Sequence, residues 1–295
     1  MTSAIADEFE SHRPRLFGLA YRMLGSAEEA EDTVQDAFLR FSGADRAGIE
    51  HLGAWLAKVV TNLCLTRLTS ARARRETYVG SWLPEPVVTS DGTLGPLESA
   101  EQRDAVSMAL LVLLERLTPT ERAVYVLREA FAYGYRAIAD VLDLSEANCR
   151  QLHRRAVQRV GEPRSRFEAV PERREELVAT FVTAAREGDL AGLEKLLAAD
   201  VTWWSDGGGK VSAARRPVEG REKVVRFALG SFQKWGAELR LTTAEVNGGT
   251  GVAMWTGGVL AALVTFDLRD ELIAGVRAVL NPDKLEFVRG QLAHP

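Results

Sequence analysis

The stretch from Tyr135 to Arg159 reads YRAIADVLDLSEANCRQLHRRAVQR. Tyr135, Ile138, Ala139 and Leu142 recur at spacings of three and four, which places them on one face of a helix. Asp143 interrupts the pattern at a turn position where glycine is common. Aspartate tolerates left-handed backbone, and Leu144 beside it is available to point inward. Ser145 suits the N-cap of a second helix, where its hydroxyl accepts from an otherwise unpaired backbone N–H. In that helix Cys149, Leu152, Ala156 and Val160 form the apolar stripe, while Asn148, Arg150, Gln151, Arg154, Arg155, Gln158 and Arg159 occupy the other side. A helix-turn-helix presenting such a face to the major groove reads base edges and phosphates with Arg and Gln. The same pattern also fits a solvated basic face on a small helical bundle.

The whole chain has 295 residues, 46% hydrophobic and 26% charged, with a formal net charge of -4. That length accommodates two or three domains with cores of their own. An acidic chain is not an electrostatic DNA binder as a whole, so DNA affinity has to come from local patches at Arg67, Arg72, Arg74 and Arg75 and from Arg150 to Arg166, with a partner to hold the protein on DNA. The two cysteines, Cys64 and Cys149, fall on apolar helix faces and form no C-x-x-C pair; they read as reduced core residues, with no metal site and no cofactor expected. The apolar run Met108 to Leu114 is far shorter than the roughly 20 residues that span a bilayer, and no signal pattern opens the chain. A cytoplasmic protein with no membrane contact is expected.

Ahead of the helix-turn-helix, an opening helix carries Phe9, Leu16, Phe17, Leu19 and Ala20 up to a stop at Gly25. Ser26-Ala27-Glu28-Glu29 is a capping box for the next helix, which buries Ala30, Val34, Ala37, Phe38 and Phe41 and exposes Glu28, Glu31, Asp32, Gln35 and Asp36. After a loop from Ser42 to Ile49, the residues Leu52, Trp55, Leu56, Val59, Val60 and Leu63 mark a third helix with a basic end, LTRLTSARARRE. A second block starts near Arg103 with the stripe Val106, Leu110, Leu113, Leu114 and Leu117; Thr118-Pro119-Thr120-Glu121 then joins a capping box to a proline at the first helical position. The helix so started buries Ala123, Val124, Leu127, Ala130 and Phe131.

AYRMLGSAEEAEDTVQDAFLRF with AWLAKVVTNLCLTRLTSARARRE resembles region two of bacterial sigma factors of the extracytoplasmic-function (ECF) class, and Thr118 to Arg159 resembles their region four. The resemblance covers about Ile5 to Phe167. It implies a promoter specificity subunit, with core RNA polymerase and promoter DNA as partners and no enzymatic activity. It assigns Asp32, Gln35 and Asp36 to the polymerase clamp helices. Asn62, Arg67 and the 42–49 loop, with the track Arg72, Arg74 and Arg75, fall to the minus-ten element, and Asn148, Arg150, Gln151, Arg154, Arg155 and Arg159 to the minus-thirty-five element. Thr66 stands where family members often have Asp and receives no role. Capturing unstacked bases of an opening strand calls for polar pockets and a basic track.

Tyr78 to Gly95 differs in composition from its flanks and contains Trp82-Leu83-Pro84-Glu85-Pro86. A free linker has no physical reason to expose adjacent Trp and Leu, and the prolines hold the peptide extended. It is expected to dock on another domain or to cover the nearby helical block.

From about Pro171 the chain changes character. Leu177, Val178, Phe181 and Ala185 mark a helix ending near Gly188; Leu190, Leu193, Leu196 and Leu197 a second; Val224, Val225, Ala228 and Phe232 a third. Strand-like runs follow around Leu239, Leu241, Val252, Met254, Trp255, Leu263, Val264 and Phe266 and from Leu272 to Leu280, with Asn247-Gly248 as a hairpin turn. Helices followed by a meander resemble the SnoaL-like, nuclear-transport-factor-like cone. The fold expected for the chain is thus multidomain: two all-α sigma domains, a helical bundle (1–76) and a helix-turn-helix (104–167), joined by a linker (77–103) and followed by an α+β cone-shaped SnoaL-like domain (171–295).

The C-terminal segment has no tyrosine, and its only histidine is His294, so the Tyr-plus-acid or His-plus-acid pairs of SnoaL-like enzymes are not expected there. Asp206, Asp267 and Arg277 remain as structural or ligand-binding polar groups. Asp206-Gly207-Gly208-Gly209-Lys210 reads as a flexible loop without P-loop spacing, and Asn281-Pro282-Asp283-Lys284-Leu285 as a turn. With WLPEP, these motifs resemble the ECF subclass in which a SnoaL-like extension regulates the sigma core, implying that the linker docks near them and that the cone pocket is a candidate small-molecule site. The competing functional reading is a free-standing, ligand-sensing helix-turn-helix regulator; a DNA-tethered SnoaL-like enzyme is a third, disfavoured by the missing acid/base pairs.

Overall fold

A computed structural model describes residues 2–45, 48–94, 105–161, 171–235 and 239–293. The chain divides into two compact units: residues 1–77 with 89–162, and residues 78–88 with 163–295. Expectations that fall on 46–47, 95–104 and 162–170 lie outside the described residues, as do the side chains of Arg72 and Arg74.

In the first unit, α1 (Thr2–Glu10) and α2 (Arg13–Leu24) replace the single opening helix that the sequence suggests. The break falls at Ser11 and His12, directly before Pro14 in the first turn of α2, a position where the missing N–H costs nothing. Gly25 closes α2 with φ 69°, donating its N–H to the Tyr21 carbonyl. Next, α3 (Ala27–Ser42) starts on Ser26, whose hydroxyl accepts from the Glu29 N–H at 3.1 Å. With α4 (Leu52–Glu76) it encloses Phe9, Phe17, Tyr21, Val34, Phe41, Leu56 and Val60, all essentially buried.

Helices α5 (Met108–Leu114), α6 (Pro119–Glu129), α7 (Tyr135–Leu142) and α8 (Glu146–Val160) follow in the same unit. α5 buries Met108, Ala109, Leu111 and Leu114, whereas the expected Leu110 and Leu113 are half-buried. MALLVLL is apolar all round, so its spacing selects no face. Thr118 and Glu121 form both bonds of the capping box. Asp143 adopts φ 54°, ψ 45° with its N–H on the Ala139 carbonyl, and the Ser145 hydroxyl accepts from the Asn148 N–H. The turn between α7 and α8 is therefore the one the sequence predicts, with aspartate in the left-handed position.

The two helical blocks pack on one another. Arg122, 2% exposed, donates from Nε to the Arg22 carbonyl at 3.1 Å and pairs with Glu115, which also holds Arg75. Arg75 donates on to the Leu24 carbonyl. Lys58 reaches the Asp140 carbonyl (2.8 Å) and Asp143 (2.6 Å) at the end of α7. Burial lowers the Arg22 guanidinium to about 10. Gly18 lets the chain at Leu94 lie close against α2: a Cβ there would lie 2.6 Å from the Leu94 carbonyl oxygen and 2.8 Å from Arg22 Nη1. Gly18→Ala is expected to destabilise the unit by about 1–3 kcal/mol through overpacking; an unchanged melting curve by circular dichroism would contradict this contact.

In the second unit, α9 (Pro171–Glu187) and α10 (Leu190–Leu196) lead into β1 (Leu197–Asp206). β2 (Val218–Glu219) and α11 (Arg221–Trp235) follow, then β3 (Arg240–Val246), β4 (Gly249–Thr256), β5 (Val259–Arg269), β6 (Leu272–Val279) and α12 (Pro282–Ala293). The strands form one six-stranded sheet in the order β2-β1-β6-β5-β4-β3, parallel only between β1 and β6. Register shifts in β1, β4 and β5 bend it, as bulges do. Phe181, Leu193, Val224 and Ala228 from the helices bury one face, carrying Trp203, Val252, Val264 and Val276. Asn247 and Gly248 turn the β3–β4 hairpin with positive φ at both positions. This is the α+β arrangement expected.

Two local expectations are corrected. Leu197 opens a strand and does not end a helix, because Val201-Thr202-Trp203-Trp204 favours extended chain that pairs with β6. Asn281 to Leu285 is not an isolated turn: Asn281 Oδ1 accepts from the Asp283 N–H, and Pro282 begins α12.

Candidate functional site

On α8, Cys149, Ala156 and Val160 are buried and Leu152 half-buried, which leaves Gln151, Arg154, Arg155 and Gln158 as an exposed stripe, with Asn148 partly exposed beside it. Arg150 pairs with Glu146 and lies over the Tyr135 ring at 5.4 Å. Arg159 behaves differently. It pairs with Glu121, a carboxylate only 3% exposed that also accepts from the Thr118 N–H, so it ties the end of α8 to the start of α6.

On α3, Asp32 and Gln35 are exposed and Asp36 half-exposed. Arg67, expected on a DNA track, pairs with Asp36 at 2.8 Å and lies 3.7 Å from Asp32. Asn62 is exposed on the same helix, whereas Arg75 is taken up by Glu115 and the Leu24 carbonyl. Leu39, 61% exposed one turn beyond Gln35, is an unforeseen apolar group on the acidic face.

In the second unit, residues 78–88 lie against the motifs at both ends of the domain. The Asp206 carboxylate, fully buried, accepts from the Tyr78 hydroxyl (2.6 Å) and Gly208 N–H (3.1 Å) on Oδ1, and from the Leu83 N–H (2.8 Å) and Lys284 Nζ (2.7 Å) on Oδ2. Those bonds fill the roughly four acceptor positions of an ionised carboxylate. Lys284 also donates to the Leu83 carbonyl and lies 4.6 and 4.5 Å from the Tyr78 and Trp82 ring centres. Burial, then donation to Asp206, pushes the Tyr78 phenol well above its ordinary value.

Gly208 has φ 58°, and a Cβ there would fall 2.3 Å from Asn281 Nδ2, so glycine is required where the DGGGK loop meets Asn281. Lys210 closes the loop on Asp283. Leu83, Pro84, Glu85 and Pro86 are all buried. Farther along, Val87 exchanges two hydrogen bonds with Asn247, Val88 bridges Val246, and Gln291 accepts from the Val88 N–H. Asp267 and Arg277 pair with each other, Arg277 lying 4.6 Å from the Trp204 ring centre.

Family models match the chain twice, sigma-70 region 2 at residues 9–74 and sigma-70 region 4 at residues 107–160. The ECF RNA polymerase sigma factor SigJ of Mycobacterium tuberculosis is 38% identical over 287 residues, spanning 94% of this chain and 92% of that protein. The chain belongs to the ECF sigma factors. Among other relatives, the probable ECF sigma factor SigI of M. tuberculosis is 30% identical over 98% of this chain and 97% of its own length. The crystal structure of M. tuberculosis SigJ superposes with a TM-score of 0.74 at 35% identity, covering 95% of this chain and 98% of that one. Membership decides between a sigma factor and a free-standing regulator in favour of the sigma factor. No described helix is long and apolar enough to cross a membrane.

For this sigma factor the sequence could not show that Tyr78, Asn247 and Gln291 complete the linker site. Although the C-terminal segment has no tyrosine, the linker brings Tyr78 to Asp206 from outside it. The hydroxyl is nonetheless engaged, with Asp206 on one side and Asn281 at 3.0 Å on the other. Arg159→Ala strips a buried carboxylate of a charged partner and is expected to destabilise the first unit by about 1–3 kcal/mol. Arg154→Ala, at an exposed position, is expected to leave the melting temperature unchanged, and equal melting temperatures for the two variants would show that Arg159 is not structural.

Proposed function

We propose that this sigma factor joins core RNA polymerase in the cytoplasm, directs it to promoters through two separated DNA contacts, and is regulated by its C-terminal unit through the linker. The observation that carries the regulatory part is the capture of the linker at Asp206, since that linker connects the two promoter-reading modules. Asp32, Gln35 and Asp36, joined by Leu39, form the polymerase-docking face. Asn62 and Arg67, with Arg72 and Arg74, serve the minus-ten strand. Asn148, Arg150, Gln151, Arg154 and Arg155 read the minus-thirty-five groove, while Arg75 and Arg159 support the fold.

Two physical arguments support this division. Asp32 and Asp36 hold Arg67 in a half-exposed surface pair, an interaction worth little in water. Docking of those carboxylates on a basic polymerase surface frees Arg67 for phosphate at small cost. The packed first unit is also a closed form. At about 150 residues it is roughly 40 Å across, whereas elements about 25 base pairs apart are separated by roughly 85 Å along the duplex. Region two and region four therefore part before both can read one promoter.

Opening is expected when Glu115, shared by Arg75 and Arg122, becomes Gln. Dyes on cysteines placed at Glu28 and Gln158 should report a longer distance in the Glu115→Gln protein; an unchanged distance would remove Glu115 as the latch. Run-off transcription with core polymerase tests the regulatory role. The chain ended after Phe167 and the Asp206→Asn protein should both differ several-fold from the full chain, and equal activity in all three would exclude regulation through this contact. Arg154→Ala should lose about 1–3 kcal/mol of minus-thirty-five discrimination while polymerase pull-down is unchanged; lost pull-down would move Arg154 to the polymerase interface.

A further inference from the structure

We infer that the C-terminal unit binds a small, neutral, largely apolar molecule between α9, α11 and the sheet, and that its binding loosens the linker through the Ser205–Ala213 segment. The inference builds on the regulatory reading of the linker contact. A cavity of about 90 Å³ opens there, walled by Phe181, Trp203, Phe227, Met254, Val264 and Phe266 among others. None of its lining residues is charged, which excludes carboxylates and phosphates as ligands: burying such a charge without a partner is prohibitive.

The polar lining consists of the hydroxyls of Ser205, Ser212 and Ser231. The Ser205 oxygen accepts from Trp203 Nε1 at 3.1 Å and keeps its own proton to donate. The space therefore suits a single ring or short branched chain carrying one hydroxyl or carbonyl. Ala262 and Ala278 stand in the wall where larger side chains would close the space, so the cavity is not imposed by the backbone alone.

The link to the linker is built into β1. Alternation along the strand turns Trp203 and Ser205 to the cavity and Asp206 to the linker. Ser205, Ser212 and Ala213 also wall a second, polar groove of about 600 Å³ that reaches Val79 and Gly80 of the linker. The loop between them folds back on itself through the N–H groups of Lys210 and Val211 on the Gly207 carbonyl. A molecule that displaces Ser205 and Ala213 thus moves both neighbours of the Asp206 contact.

The test uses the full chain with p-cresol, neutral at pH 7, and its charged counterpart 4-methylbenzoate. Labelled methionine methyl spectra report the Met254 environment, and hydrogen exchange reports the amides of Leu83 and Val87. p-Cresol should shift the Met254 signal and speed exchange in 79–88 about threefold or more, and 4-methylbenzoate should do neither. Ser231→Phe, at the half-exposed rim, and Ala262→Leu, in the wall, should both abolish the p-cresol response; the rim variant carries the test if the wall variant misfolds. No Met254 shift with p-cresol, equal shifts with both compounds, or binding that leaves linker exchange unchanged would each overturn the inference. Transcription by the Asp206→Asn protein is read separately, so loss of this inference leaves the role of the linker contact standing or falling by itself.

Discussion

A single buried carboxylate organises the second unit. Asp206 ends β1 on the face opposite Ser205, and its burial is tolerable because four donors meet it, one of them a cation. Two of those donors come from the linker and two from the domain. Removing a partner from such a group costs several kcal/mol, because the remaining charge is left buried. The linker is consequently part of the domain's own core, and the two sequence motifs at Gly207 and Asn281 are the halves of one socket. Gly208 gives the loop its left-handed turn, and Asn281 fixes both the Tyr78 hydroxyl and the start of α12.

The first unit is held in the contrary manner. Its block-to-block contact buries Arg22 and Arg122, yet Arg22 Nε, Arg122 Nη2 and Thr61 Oγ1 find no hydrogen-bond partner among the described residues. Buried polar groups left unpaired raise the energy of the packed form. Around them the contacts are guanidinium–ring and ion-pair interactions, such as Arg15 and Arg22 near the Phe131 ring. Beside them lie Leu16, Leu19, Ala57 and Leu127, so the contact is of mixed polar and apolar make-up. Such a contact suits the parting of the modules proposed above.

How much the sequence reveals follows from how far apart the interacting residues lie. Ser145, Asp143, Thr118 and Asn247 were legible because caps and turns are settled within four residues. The helix-turn-helix faces followed from periodicity for the same reason. Arg75 and Arg159 lie in basic runs on helices, and such a run does not announce an acid many positions away; Glu115 and Glu121 are their partners. The start of β1 is hidden because leucines at helical spacing run on to Leu197, and the strand is specified by pairing with β6, distant in sequence. Trp82 and Leu83 were recognisable as too apolar for a free linker, but Tyr78 and Gln291 carry no such signal.

The covalent path gives the Asp206 contact its leverage. Region four follows the linker and precedes the C-terminal unit, so while the linker is held, both ends of region four lead to that unit. With residues 78–88 held, only residues 89–104 can still lengthen the connection between the promoter-reading modules, by at most about 55 Å at 3.3–3.6 Å per residue. On the proposed reading, separation of the modules on a promoter either pulls Tyr78–Val88 from its socket or draws the C-terminal unit along with the linker. In both cases the strength of the Asp206 contact enters the free energy of forming the promoter complex. On that reading, an influence that loosens the socket changes promoter use without touching DNA.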